Sequence, residues 1–195
     1  MWSRLEGSLI WEEARAAYAV PGGRLYHDFG HVLRLYEIAA EKGLAHDPAL
    51  DLAILAHDVI YDRLPLKERR SADWLLERAP ASLHEDWVSA ADMIMTTERH
   101  SPGDDDRLAL LDLHDLGDLQ VSIDNREKLA AEAEALCGTS REAFGSGNAA
   151  FMRGMAERIE AGLDATIGQN RAEWERVASG IRALLAHDSP APESP

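Results

Sequence analysis

The chain carries a single cysteine, Cys137, among 195 residues, so no internal disulfide can form. Cysteine usage of this kind points to a reducing compartment. Strand signals are as scarce: no run of alternating β-branched residues lies between turn residues. Nothing approaches the roughly 18 consecutive apolar residues that a membrane span needs. The opening Met1-Trp2-Ser3-Arg4 also lacks the basic-then-apolar layout of a secretory signal. A cytoplasmic chain without a membrane partner is therefore expected. Cations are in deficit as well, with 20 Lys plus Arg against 35 Asp plus Glu and a net charge of −15. Such a surface repels a polyanion, so a nucleic-acid polymer is not an expected partner. A small phosphorylated ligand remains compatible, because a divalent cation and a few arginines can reverse the field inside one pocket.

What is present is helical pattern and enough apolar residues, 46% of the chain, to fill a core. The spacing predicts an all-α fold with helices over 8–19, 27–42, 48–62, 66–78, 82–98, 105–119, 122–136, 148–167 and 169–185. One domain is expected over 1–188, followed by a disordered Pro-rich tail over 189–195. The 48–62 segment is apolar all round, with Leu50, Leu52, Ile54, Leu55, Val59 and Ile60, which marks a central helix. His57 and Asp58 lie inside it, and burying such a pair is costly unless something compensates. A metal ion is one such compensation.

Other residues share this chemistry. His27 and His31 are four apart and would share one helix face; Asp112 and Asp115 are three apart and would share another. Imidazoles and carboxylates from three helices can converge inside a bundle. Two histidines and two carboxylates with open positions suit Mn²⁺, Mg²⁺, Fe²⁺ or Co²⁺ better than a closed structural Zn²⁺ site. On spacing alone, either Asp112 or Asp115 could reach the metal. His46, His84 and His187 fall outside the pattern and read as surface positions, and His114 stays unassigned. The five tryptophans sit at helical positions and read as packing residues.

The order of these pieces carries a resemblance. Arg24-Leu25-Tyr26-His27 is followed four residues on by His31; then come His57-Asp58-Val59-Ile60-Tyr61-Asp62, Glu68-Arg69-Arg70-Ser71-Ala72, Thr97-Glu98-Arg99-His100 and Asp112-Leu113-His114-Asp115-Leu116. The set, spanning about Arg24 to Leu119, resembles the HD superfamily of metal-dependent phosphohydrolases. More narrowly, it resembles a bacterial branch of predicted HD phosphohydrolases. The aspartate motif here is one residue longer than that branch's Asp-x-Asp-Leu. Beyond Leu119 the chain departs from the pattern, so its C-terminal third is expected to define its own substrate pocket.

The resemblance implies an HD-domain helical bundle and a metal held by His31, His57, Asp58 and Asp115. Asp115 is selected because Asp115-Leu116 with Leu119 matches the family's Asp-Leu-x-x-Leu, which leaves Asp112 as an outer partner. It implies hydrolysis of a phosphate ester, with a nucleotide as the expected class, by metal-activated water. His27 is then the proton donor or a second layer of support, and Asp62 or Glu68 orients the water. Arg24, Arg70 and His100 are the expected substrate contacts, while Lys67 and Arg69 read equally as a solvated basic face. Two other readings stay open: a di-iron oxygenase of the same fold, and a nucleotide-binding module without turnover. A homodimer is also left open.

Overall fold

A computed structural model describes residues 2–20, 23–62, 64–81, 85–166 and 168–188. The expected tail over 189–195 and His84 lie outside the described residues. Those residues form nine α-helices and no strand: α1 Leu9–Tyr18, α2 Phe29–Glu41, α3 Pro48–Ala56, α4 Lys67–Leu76, α5 Glu85–Thr96, α6 Arg107–Asp112, α7 Leu119–Cys137, α8 Arg141–Gly162 and α9 Gly168–His187. Single 3₁₀ turns at His114–Gly117 and Leu163–Ala165 complete the order. The fold is all-α, and none of the described helices is long and apolar enough to cross a membrane.

Several helices begin where a short polar side chain can accept an orphan backbone N–H. Ser8 caps α1, Asp28 caps α2, Asp47 caps α3 ahead of Pro48, Asp118 caps α7 and Ser140 caps α8. The cap at Ser140 starts α8 earlier than the Gly145-Ser146-Gly147 stretch suggests, and the helix runs through both glycines.

Buried apolar residues form two clusters. The first gathers α1 to α5 around Leu35, Tyr36, Leu50, Ile54, Leu55, Leu75 and Ile94. The second joins α8 and α9 around Met155, Ile159, Trp174, Val177 and Ile181. Trp11 and Trp174 are buried, and Trp2, Trp74 and Trp87 pack against the first cluster, so the tryptophans do serve packing.

Helix α6 belongs to both clusters. Leu108 and Leu111 face the first, while Ala109, Leu110 and the following Leu113 face the second. A six-residue helix has little intrinsic stability, so its ends are tied down. Before its first turn, buried Asp106 accepts from Trp174 Nε1 at 2.6 Å and from Asn170 Nδ2 at 2.9 Å. Its last residue is Asp112, which engages two histidines.

Three expected helices differ in ways that shape the site. The apolar third helix stops at Ala56, and His57 to Ile60 form a turn. Buried partners take the backbone groups that a continuing helix would use. Asp58 N–H donates to Tyr18 Oη at 3.2 Å, Arg24 donates to the carbonyls of Asp58 and Val59 at 2.8 and 3.0 Å, and Ile60 N–H donates to Ser71 Oγ at 3.1 Å. The second helix starts after His27, so His27 and His31 do not share a helical face. The helix expected over 105–119 breaks after Asp112 into the 3₁₀ turn, which sends Asp112 and Asp115 in different directions.

That break is held by α9. A Cβ added at Gly180 would collide with the carbonyl oxygen of Leu116, so only glycine lets α9 approach the 3₁₀ turn this closely. Gly180→Ala is therefore expected to destabilise the chain by about 1–3 kcal/mol, the range for overpacking a close contact. Denaturant midpoints read the loss, and an unchanged midpoint would show that the α9 contact is not tight.

Candidate metal centre

The turn that ends α3 brings His57 into the interior, 1% exposed. Its Nδ1 lies 3.0 Å from the Ile54 carbonyl oxygen, which can only accept. Nδ1 therefore carries a proton, and in the neutral ring Nε2 presents a lone pair. This Nε2 is buried and has no hydrogen-bond partner. Asp58 Oδ2 sits 3.3 Å from it, again with lone pairs. Two buried lone-pair atoms facing each other call for positive charge between them, as a proton or a cation. Asp58 accordingly raises the pKa of His57 against the opposing effect of burial. The carboxyl group of Asp58 is itself held well below the usual range, because His57, His27 and Lys67 outweigh its burial.

His31 in the first turn of α2 and Asp112 at the end of α6 face the same space. One donor atom each from His31, His57 and Asp112 lie within 4.8 Å of one another, and they form the one such cluster of metal-binding side chains among the described residues. Asp112 Oδ1 is 3.0 Å from His31 Nε2, and its Oδ2 is 2.8 Å from His100 Nε2. Burial alone would raise the carboxyl of Asp112, but the hydrogen bonds from His100 and His31 hold it well below its ordinary value. His100 reaches Asp112 from a left-handed backbone conformation, φ 46°, uncommon for a residue with a side chain.

The residues fit a divalent ion. A histidine that ligates through Nε2 commonly donates its other ring N–H to a backbone carbonyl, as His57 does to Ile54. The donors are imidazole nitrogen and carboxylate oxygen, the set that suits Mn²⁺, Fe²⁺, Co²⁺ or Zn²⁺.

Asp115 is placed elsewhere. It pairs with Arg34 at 3.2 Å, and Asp112 takes the position among the histidines that the resemblance gave to Asp115. The helix break after Asp112 is the physical reason.

The expected substrate cations are also differently engaged. Arg24 is buried, donates to the two carbonyls of the His57–Ile60 turn and lies over the Tyr18 ring, so it builds the site without facing into it. Arg70 forms a two-pronged bridge with exposed Asp62 at 2.9 and 2.5 Å, which removes both residues from the cluster. Glu68 is held by Lys67 at 2.8 Å. Lys67, in turn, places its ammonium 3.7 Å from Asp58 and 4.9 Å from the centre of the Tyr61 ring. Lys67, which the sequence read equally as a solvated basic face, thus brings its ammonium to the Asp58 carboxylate. Of the histidines outside the pattern, His46 and His187 are exposed, and His114 is held by Arg176.

His27 stacks on Tyr61 with ring centroids 4.0 Å apart, and its Nε2 faces Asp58 Oδ2 at 4.0 Å. Its Nδ1 is 2.5 Å from Glu132 on α7. Glu132, 2% exposed, also accepts the backbone N–H groups of Leu25, Tyr26 and His27 at 2.8–3.0 Å. Sequence reasoning missed this residue. Glu132 is one of three glutamates in α7 and belongs to no motif, and its partner lies 105 residues away.

No family model matches the chain, and neither a curated protein nor a solved structure matches it.

Burial would raise the Glu132 carboxyl, but the hydrogen bond and charge of His27 and the backbone amides of Tyr26 and His27 hold it at about 2, against an ordinary 4.5. A depressed carboxylate stabilises the fold above its unfolded pKa, and that contribution fades as pH falls toward the folded value. The stability gap between the wild type and Glu132→Gln should therefore be full above about pH 5 and shrink steadily toward pH 2. Thermal denaturation at stepped pH measures it, and a gap independent of pH would mean that Glu132 contributes by shape alone.

Proposed function

We propose that this chain is a metal-dependent phosphohydrolase acting on a phosphate ester, with a nucleotide as the expected class. The observation that carries the reading is the buried, unpartnered Nε2 of His57, turned toward His31 and Asp112 and flanked by His27 and Lys67. The ordered motif pieces that resemble the HD phosphohydrolases support it from the sequence side. Of those pieces, His31, His57, Asp58 and His100 all lie at or beside the cluster.

His31, His57 and Asp112 would hold the ion, with Asp58 alongside His57. When bound, a divalent cation supplies Lewis acidity, which eases deprotonation of water and offsets charge on a phosphoryl oxygen. The chain's own residues do the rest. Displacement at phosphorus needs a group that exchanges a proton with the entering or leaving oxygen. His27 would do this, because its Nδ1–H donates to Glu132 and its Nε2 is left facing Asp58 and the cluster. Glu132 and the stacked Tyr61 ring fix the plane of the imidazole. Lys67 brings a positive charge to the Asp58 side of the site, where a phosphoryl oxygen can exchange places with the carboxylate as its partner. Asp62 and Arg70, bound to each other at the surface, take no part in this scheme, and Glu68 serves to hold Lys67.

His100 gives a specific reason to weigh a second reading. It provides an imidazole on the far oxygen of Asp112, the additional ligand that a two-iron oxygenase of this fold would require. Iron content and oxygen consumption separate the two.

The test is a hydrolysis screen of nucleotides and simple phosphate esters with Mn²⁺, Mg²⁺ and Co²⁺. At least one ester should turn over, with activity lost on chelation and in His57→Ala. His27→Ala should lose about 10²- to 10⁴-fold in turnover, the usual worth of a positioned acid or base, while retaining metal. No turnover of any ester by fully loaded protein would overturn the reading, and loss of metal in His27→Ala would make that residue a ligand.

A further inference from the structure

We propose that the part of the substrate away from the reacting phosphate carries a second anionic group, and that Lys128 and Arg34 take this group in the cleft between α2 and α7. The inference rests on the hydrolase reading and adds a substrate class to it.

The cleft has a volume of about 440 Å³ and is bounded by Tyr26, His31, Arg34, Asn125 and Lys128, among others. That is a small-molecule size. His31 belongs both to its wall and to the metal cluster, so a molecule held at the cluster extends naturally into this space. The α7 wall is one helical stripe. Val121, Asn125, Lys128 and Glu132 follow at spacings of four, three and four, and so share a face. The same face of α7 thus lines the cleft and, one turn on, orients His27.

The charges of the lining decide what the cleft takes. Four charged residues border it: Asp28, Arg34, Asp115 and Lys128. Asp28 is committed to the start of α2, where Oδ1 accepts from His31 N–H at 3.1 Å. Asp115 is committed to Arg34 at 3.2 Å and Glu37 takes a second nitrogen of that guanidinium at 3.5 Å, so Arg34 shares its charge and Lys128 is the cleft's principal anion contact. Lys128 is exposed and makes no ion pair among the described residues. It is a cation without a counter-charge in a chain of net charge −15. Nearer the cluster, Arg24 is engaged by carbonyls, and Lys67, beside Asp58 and Glu68, serves the reacting phosphate. A second anion on the substrate therefore finds its compensation in this cleft.

The test uses two esters of matched shape, 4-carboxyphenyl phosphate and its neutral counterpart 4-carbamoylphenyl phosphate. At low salt the charged ester should show a KM about tenfold lower, the order of one charge-assisted contact. Lys128→Ala should abolish the difference by raising KM for the charged ester alone, and Lys128→Arg should restore it. Calorimetric titration of the metal-stripped protein with 4-carboxybenzylphosphonate supplies a reading independent of turnover, with binding weakened about tenfold in Lys128→Ala. Equal KM values for the two esters in the wild type, or an equal effect of Lys128→Ala on both, would overturn the inference while leaving the hydrolase reading intact. If neither ester is turned over with any metal, the hydrolase reading is judged by the nucleotide screen above and not by this pair. The phosphonate titration then decides the cleft by itself, and binding indifferent to Lys128 would overturn the inference.

Discussion

The two oxygens of Asp112 accept from two histidines that are distant in sequence, His31 on α2 and His100 after α5. Most of the site depends on that carboxylate. It stands at the end of a six-residue helix wedged between the two apolar clusters, so its position rests on the packing of both. A short helix cannot hold such a position by its own hydrogen bonds. Asp106 fixes its beginning against α9, and Asp112 fixes its end against the histidines. Placing a carboxylate here has an electrostatic cost, which the two imidazoles offset and which a cation would offset further.

The remaining geometry follows from how backbone groups are satisfied. Arg24, Tyr18 and Ser71 take up the carbonyls and amides of residues 58–60, and the central helix ends just before His57. The histidine is then free to turn its Nε2 inward while Nδ1 binds the last turn of α3. On the opposite wall, Glu132 gathers three successive backbone amides and the ring of His27, tying the segment before α2 to α7. One helix thus aligns the proton-transfer candidate and lines the cleft beside it.

The all-α architecture was legible because every long segment carries helical periodicity. His31, His57, Asp58 and His100 stood out because their order carries a resemblance, and the fold puts them at or beside one cluster. Less could be read where a helix ends by tertiary contact. Nothing local in Leu113-His114-Asp115 marks the break after Asp112, and only the packed fold shows Gly180 of α9 making room for the 3₁₀ turn. That single break turns Asp112 toward His31 and His100 and Asp115 toward Arg34. Arginine roles were harder still, since Arg24 and Arg70 look available in sequence and are engaged by carbonyls and by Asp62 in space. Glu132 and Lys128 lie beyond the stretch that carries the resemblance, so only the fold brings them to the site.

The central claim is that a divalent cation belongs between His31, His57 and Asp112, and metal stoichiometry of two aspartate variants tests it most directly. Metal-stripped protein titrated with Mn²⁺ or Co²⁺ should bind one equivalent in the wild type and in Asp115→Asn. Asp112→Asn should lose that binding by more than the roughly 10–100-fold expected of an outer partner. Full stoichiometry in Asp112→Asn together with loss in Asp115→Asn would contradict the account and return the ligand role to Asp115.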